Sequence, residues 1–272
     1  MAEPAKENVI IQGCCIEGMK QLENDSVDIV IADPPYNIGK DFGNDSDKQA
    51  MNDYLTFCDE WMKESFRILK PCGTLYIYGF SEILSFIRVR IDLSYSVRWL
   101  VWHYTNKNTP TAKFWCRSHE SILCCSKEKR PTFNLDDVRV PYTDGFVNGA
   151  AGKTRNSTKG RFSNGTKTTK YTAHPNGAMP RDVIKIPTLA GGGKERVKGH
   201  PTQKPLALCD ILLKASLNKD SDTKVVVPFA GSGSECVAAK KLGLTYIGFE
   251  LNPDYIDICN ERLQQVTTPP LT

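Results

Sequence analysis

The chain has 272 residues and a mass of 30.4 kDa, which suits one large domain or one domain carrying an insertion. With 40% hydrophobic and 24% charged residues it is able to bury a sizeable core, which excludes general disorder. Every apolar run is broken before the ~18 residues that a membrane helix needs. The net charge of +4 is unevenly spread: residues 141–200 hold eleven Lys and Arg against three Asp and Glu, and ten of the twenty glycines. Such a segment suits either a solvated loop or a polyanion-binding insert. The opening MAEPAKENVI lacks the basic start and apolar stretch of a signal peptide, so an intracellular protein with no membrane partner is expected. The ten cysteines form no C-x-x-C and have no His at finger spacing, so buried free thiols and no metal site are expected.

In chain order, VDIVIA (27–32) is a β-branched apolar run that stops at Asp33-Pro34-Pro35-Tyr36, and it reads as a buried strand ending in a rigid turn. Apolar residues then recur at helical spacing from Met51 to Leu69, and Pro71 and Gly73 are expected to end that helix. TLYIY (74–78), VRWLVWH (97–103) and ESILCCS (120–126) read as strands, with a helix over 81–92. Beyond the basic segment, a helix is expected over 203–217, a strand over 224–229, a helix over 234–243 closed by Gly243, a strand over 245–250 and a helix over 253–266. Strands alternate with helices on both sides of the basic segment, which predicts an α/β fold with a largely parallel sheet covered on both faces.

Two corners carry chemistry. A strand runs into Phe229-Ala230-Gly231-Ser232-Gly233 and then a helix, the arrangement of an anion or nucleotide turn. The next strand ends in Glu250, placed to accept hydrogen bonds from both hydroxyls of a ribose. The third glycine of a dinucleotide turn is replaced by Cys236, and the phosphate-loop Gly-Lys-Ser/Thr is absent. A nucleoside without a pyrophosphate fits, and S-adenosylmethionine is one. At the other corner, the Asp33 carboxylate and a proline-fixed carbonyl are able to accept the two N–H hydrogens of an exocyclic base amine, which frees the nitrogen lone pair for attack on a methyl sulfonium. Tyr36 offers a ring face for an extruded base, a role that Phe or Trp would also fill. No other acid lies near Asp33 in sequence.

These corners, in this order, resemble the β-class DNA amino-methyltransferases. Q-G-C-C-I-E-G-M (12–19), H-P-T-Q-K-P-L (200–206), P-F-A-G-S-G (228–233) and G-F-E-L-N-P-D-Y (248–255) are similar to further motifs of that family, as are W-H-Y-T-N-K-N (102–108) and R-S-H-E-S-I-L (117–123). The resemblance covers nearly the whole chain and implies a Rossmann-like methyltransferase fold with S-adenosyl-L-methionine as cofactor. Residues 1–140 would form the catalytic half, 141–200 a target-recognition insert and 201–272 the cofactor half of the same domain. By that similarity Asp33, Pro34, Pro35 and Tyr36 are the catalytic set. The cofactor would be held by Cys15, Asp33, Phe229, Gly231, Ser232, Gly233, Glu250 and Asn252, with Thr202 and Lys204 at its methionine end. Double-stranded DNA is the expected partner, in a nucleoid-associated protein, with Lys153, Arg155, Lys159, Arg161, Lys167 and Lys170 on it. The family also allows a homodimer and a cognate restriction endonuclease. Asp as the first motif residue favours adenine N6 over cytosine N4 as the methyl acceptor. A catalytically inactive DNA-binding relative and an RNA methyltransferase are the more distant readings. The chain departs from the family at Cys14, at Val227 and at Ser234-Glu235, where Asp, Asp and Thr-Thr are usual.

Overall fold

A computed structural model describes residues 7–42, 47–106, 113–161, 163–189 and 191–267. Its elements run β1 (Val9–Gln12), α1 (Cys15–Lys20), β2 (Val27–Ala32), α2 (Met51–Ile68), β3 (Leu69–Gly79), α3 (Ser81–Arg88), β4 (Ser96–His103) and β5 (His119–Ser126). They continue with α4 (Asp144–Gly149), β6 (Thr154–Asn156), β7 (Lys159–Gly160), β8 (Ser163–Asn164), β9 (Thr168–Lys170) and β10 (Val183–Lys185). The last part is α5 (Leu206–Ser216), β11 (Lys224–Val227), α6 (Ser234–Lys241), β12 (Thr245–Glu250) and α7 (Pro253–Gln264). Asn134–Arg181 form one compact unit, and the chain on either side of them forms the other.

The larger unit is built on an eight-stranded sheet in the order β1-β12-β11-β2-β3-β5-β4-β10. β5 runs antiparallel to both its neighbours, and all other pairs are parallel. Two apolar clusters cover the two faces. One packs Trp61, Tyr54 and Met62 of α2 with Leu84 and Ile87 of α3. The other packs Leu208, Leu212 and Leu213 of α5 with Val237 of α6. β2 is buried along its whole length, as a central strand covered on both faces must be. Its one charged residue, Asp28, is satisfied by Lys70 Nζ at 2.8 and 2.9 Å and by the backbone N–H of Lys224 at 3.0 Å.

Some local expectations differ from the structure. α2 stops at Ile68, and β3 begins at once and runs through Pro71 and Gly73. The β2–β3 register shifts between Val27 and Ile29, which lets the strand carry a proline without a ladder N–H. Gly73 is needed there because a Cβ would lie 2.7 Å from the Asp28 carbonyl. The edge strands β1 and β10 and the helix α1 were not foreseen; they are three to six residues long, too short to show a period. The separate unit runs from 134 to 181, not from 141 to 200. At its start, Val140 pairs with Ala178 and Arg139 Nη1 donates to the Gly177 carbonyl at 3.0 Å. Beyond its end, β10 joins β4, and the Trp102 indole donates to the Ile186 carbonyl at 2.9 Å. Of the cysteines, six are buried and free, whereas Cys14 and Cys116 are exposed. No helix among the described residues is long and apolar enough to cross a membrane.

Within the smaller unit, Thr143 caps α4, and the Tyr142 and Phe146 rings stack at 4.5 Å. β6 pairs antiparallel with β9, and β7 with β8 inside that loop.

Candidate active site

The two chemical corners lie far apart in the chain and meet because β11 pairs with β2 (Val225 opposite Ile29, Val226 opposite Val30). Strand order reverses at this pair, since β2 leads on to β3 on one side and β11 to β12 on the other. The carboxyl ends of strands at such a switch point leave a crevice. Here it encloses about 1160 Å³, its open mouth included, and it is lined by residues from both corners.

Asp33 sits at the end of β2. Lys204 Nζ donates to both its oxygens, at 2.8 and 2.7 Å, and the Tyr36 hydroxyl donates to Oδ1 at 2.8 Å. The same hydroxyl lies 2.9 Å from Glu120 Oε2, and Tyr104 donates to Glu120 Oε1 at 2.6 Å. Lys204 is 3.6 Å from Glu120 and keeps only 4% of its side chain exposed. Burial alone would lower the Lys204 pKa, but the Asp33 and Glu120 carboxylates outweigh it and hold the ammonium charged. Burial pushes the Asp33 carboxyl above its ordinary value, and Lys204 pulls it back. A lysine held above its normal value requires an anionic partner, so the bidentate ion pair is the form these contacts select. The Pro35 carbonyl is taken by the Tyr54 hydroxyl at 2.8 Å. Among the described residues nothing donates to the Pro34 carbonyl, which stays available beside Asp33. Behind the motif, the buried Asp47 carboxylate accepts the N–H groups of Asn37, Ile38 and Lys40 at 2.6, 3.2 and 2.6 Å and fixes the loop after Tyr36.

Across the crevice, the glycine turn is tied to Glu250. Glu250 Oε2 accepts from the Gly231 N–H at 2.8 Å, and Oε1 from those of Leu251 and Asn252, both at 2.9 Å. Gly231 has φ +50°, and a Cβ there would come within 2.7 Å of His200 Nε2. Burial and the nearby cations Lys204, Arg196 and Arg262 push the His200 pKa down to about 3, so the ring is neutral. Arg262 donates to the Ser232 carbonyl and, at 3.2 Å, to Ser234 Oγ, holding the turn from α7. Phe229 lines the cavity edge-on to Trp61, with centroids 5.6 Å apart.

Cys15, Asp33, Pro34, Pro35, Tyr36, Thr202, Lys204, Phe229, Gly231, Ser232 and Glu250 all line this one cavity. Gly233 and Asn252 stand behind it. A Cβ on Gly233 would overlap Cys259 Sγ, so that glycine serves close packing. Asn252 caps α7 and donates to the Phe42 carbonyl at 3.0 Å. Lys204, expected at a methionine end, lines the cavity with its ammonium bound to Asp33. Tyr36 was expected to act through its ring alone, but its hydroxyl links two carboxylates. Glu120, Asp47, His200 and Arg262 were given no role by sequence reasoning, and Glu235 was noted there only as a departure from the family pattern. His200 and Glu120 lie inside quoted motifs, whereas Asp47 and Arg262 have no local signal. Lys153, Arg155, Lys159, Arg161, Lys167 and Lys170 are all exposed, on or beside β6–β9 of the smaller unit.

Residues 27–261 match the N6_N4_Mtase family model, whose description is DNA methylase. The chain is 36% identical over 252 residues to the type II methyltransferase M.HpaI of Haemophilus parainfluenzae, covering 91% of this chain and 71% of that one. Two solved structures share the fold. The PvuII cytosine-N4-specific DNA methyltransferase superposes with a TM-score of 0.67 at 15% identity, over 95% of this chain and 87% of that one. The Thermus thermophilus protein TTHA0409, in complex with S-adenosyl-L-methionine, gives 0.60 at 22% identity, over 94% and 93%. The chain therefore belongs to the N6/N4 DNA methylase family, and it is a DNA methyltransferase.

Proposed function

We propose that the protein moves a methyl group from S-adenosyl-L-methionine to the exocyclic N6 of an adenine turned out of duplex DNA. The observation that carries this reading is the Asp33 carboxylate, oriented by Lys204 and Tyr36 beside the Pro34 carbonyl, to which nothing among the described residues donates. The cavity suits the cofactor. Glu250 keeps lone pairs for ribose hydroxyls beyond its three backbone bonds. Phe229 gives an apolar wall for a purine, and Gly231 keeps the turn free of a side chain. The family resemblance and the cofactor-bound Thermus structure point the same way. When bound, the cofactor supplies an electrophilic methyl group on a positively charged sulfur.

The protein's own groups do the rest by position. Asp33 Oδ2 accepts one bond from Lys204 and keeps a second lone-pair direction for an amine hydrogen. The Pro34 carbonyl accepts the other. Together they draw the nitrogen towards tetrahedral geometry and leave its lone pair free for the methyl group. Lys204 and Tyr36 hold the carboxylate before reaction, so little reorganisation is needed as charge develops on nitrogen. Asp33 then receives the proton that nitrogen must shed.

The exposed cations of 134–181 suit DNA phosphates. Adenine is favoured because Asp33, not Ser, opens the Pro-Pro-Tyr motif. The test is tritiated methyl transfer to duplex DNA followed by nucleoside analysis. N6-methyladenine is the expected product. N4-methylcytosine would overturn the choice of base but keep the chemistry, and label found only in RNA would overturn the choice of nucleic acid.

A further inference from the structure

Asp33 and Glu235 line the cavity, and a third carboxyl group, Glu120, stands beside Asp33 across Tyr36 and Lys204. Among the described residues Lys204 is the one cation that pairs with any of them, and it reaches Asp33 and Glu120. Glu235 stands in the first turn of α6, is 3% exposed and lines the cavity. Among the described residues its one side-chain partner is the weak donor Cys209 Sγ at 3.6 Å, and its own backbone N–H also favours the carboxylate. The groups facing it are Cys209 from α5, Tyr78 from β3, Asp33 at the end of β2, Lys204 ahead of α5 and Cys236 on its own helix. The two thiols and the phenol are buried and stay neutral, and Lys204 stays charged. One ammonium does not balance three carboxylates; Glu235 is the buried one of them and has no ion-pair partner among the described residues, and an uncompensated buried charge takes up a proton.

On the reading that the cavity holds S-adenosyl-L-methionine, we propose that Glu235 is the reserve counter-charge for the cofactor's sulfonium. Near neutral pH it carries a proton in part of the free protein and releases that proton to solvent when a positively charged ligand enters, so the charged methyl donor is held in preference to its neutral thioether product. The chemistry balances: the carboxyl O–H breaks, the proton leaves to buffer, and the carboxylate remains against the added positive charge. Burial, followed by the charge of Asp33, raises the Glu235 pKa to about 7, so the group is poised between its two forms. The cofactor carries an ammonium, a carboxylate and a sulfonium, whereas S-adenosylhomocysteine lacks the last, so the pair isolates that one charge.

The experiment is calorimetry of both ligands with the parent protein and with Glu235→Gln, in buffers of different ionisation enthalpy, slightly below and slightly above neutral pH. The parent is expected to release protons on binding S-adenosylmethionine and few on binding S-adenosylhomocysteine, with more released at the lower pH. Glu235→Gln should abolish that release and weaken the charged ligand about tenfold, the equivalent of one pKa unit. Its affinity for S-adenosylhomocysteine should stay near that of the parent, which also shows that the variant is folded. Equal proton release with the two ligands, or an unchanged affinity ratio in the variant, overturns the role of Glu235. Failure of the parent to bind either ligand overturns the cofactor reading itself.

Discussion

The sheet-built unit and the 134–181 unit treat charged side chains in opposite ways. In the first, Asp33, Lys204, Tyr36 and Glu120 are bonded to one another, and their positions are set by two strands, β2 and β5, and the segment ahead of α5. In the second, eight Lys and Arg stand against three Asp, and the six that were singled out are exposed. Among the described residues only Arg155 of those six makes a side-chain bond, to the Gly149 carbonyl at 3.3 Å. Groups that must act in one geometry are pre-bonded and buried. Groups that need only attract a polyanion are left in water, where long side chains can follow the phosphates.

Substitutions in the two units should therefore fail in different ways. The largest effect is expected for Asp33→Ala. Losing a preorganised partner of developing charge typically costs ~10²–10³ in rate, and the change also strands the Lys204 ammonium. Single-turnover methylation should fall at least that far while DNA affinity is kept; near-normal turnover would refute the assigned role. Tyr36→Phe is next. It keeps the ring but removes the hydroxyl that bridges Asp33 and Glu120, and a hydrogen bond to a charged group is worth about 1.5–3 kcal/mol. The rate should drop between tenfold and a hundredfold, and full activity would return Tyr36 to a purely stacking part. Gly231→Ala places a methyl group against His200 at positive φ, a strain of about 1–3 kcal/mol. Thermal denaturation should show the loss of stability, and calorimetry a weaker cofactor. The smallest effect on the chemical step is expected from neutralising Lys153, Arg155 and Lys159 together. The salt dependence of DNA binding should flatten by about 0.9 per lost phosphate contact, with cofactor affinity and single-turnover rate at saturating DNA unchanged. An unaltered slope would make the 134–181 unit a bystander.

What the sequence disclosed follows the same division. β2, β11 and β12 were legible as short apolar runs stopped by Pro or an acid, and α2 by its helical spacing, although the Pro and Gly expected to end it lie inside β3. The motif acid, the glycine turn and Glu250 were legible because they sit at the ends of those runs. The Lys204–Asp33 pair was not, because it is made by residues 171 apart. Glu120 was hidden for a related reason: it projects from β5, whose antiparallel insertion beside β3 is a fact of pairing and leaves no mark on local pattern. The boundaries at 134 and 181 were missed because charge and glycine content change gradually there, whereas compactness is set by contacts such as Val140 with Ala178. Tyr36 shows the limit of a motif. The motif points to its ring, whereas its hydroxyl makes contact with a glutamate 84 residues away.

The pairing of β2 with β11 also bears on how the chain reaches its native state. β2 is apolar almost throughout, yet one of its two neighbours, β11, is made nearly two hundred residues later, with the Lys224 N–H reaching back 196 positions to Asp28. Closing a loop of that span must be met before the contacts reward it, which slows folding. Until then a nascent chain presents β2 as a bare, sticky edge, of the kind that pairs with the wrong partner. Amide protection in β2 should accordingly arrive together with that in β11 during refolding, as pulse-labelled hydrogen exchange would register, and a polypeptide ending before Lys224 should aggregate where the full one does not.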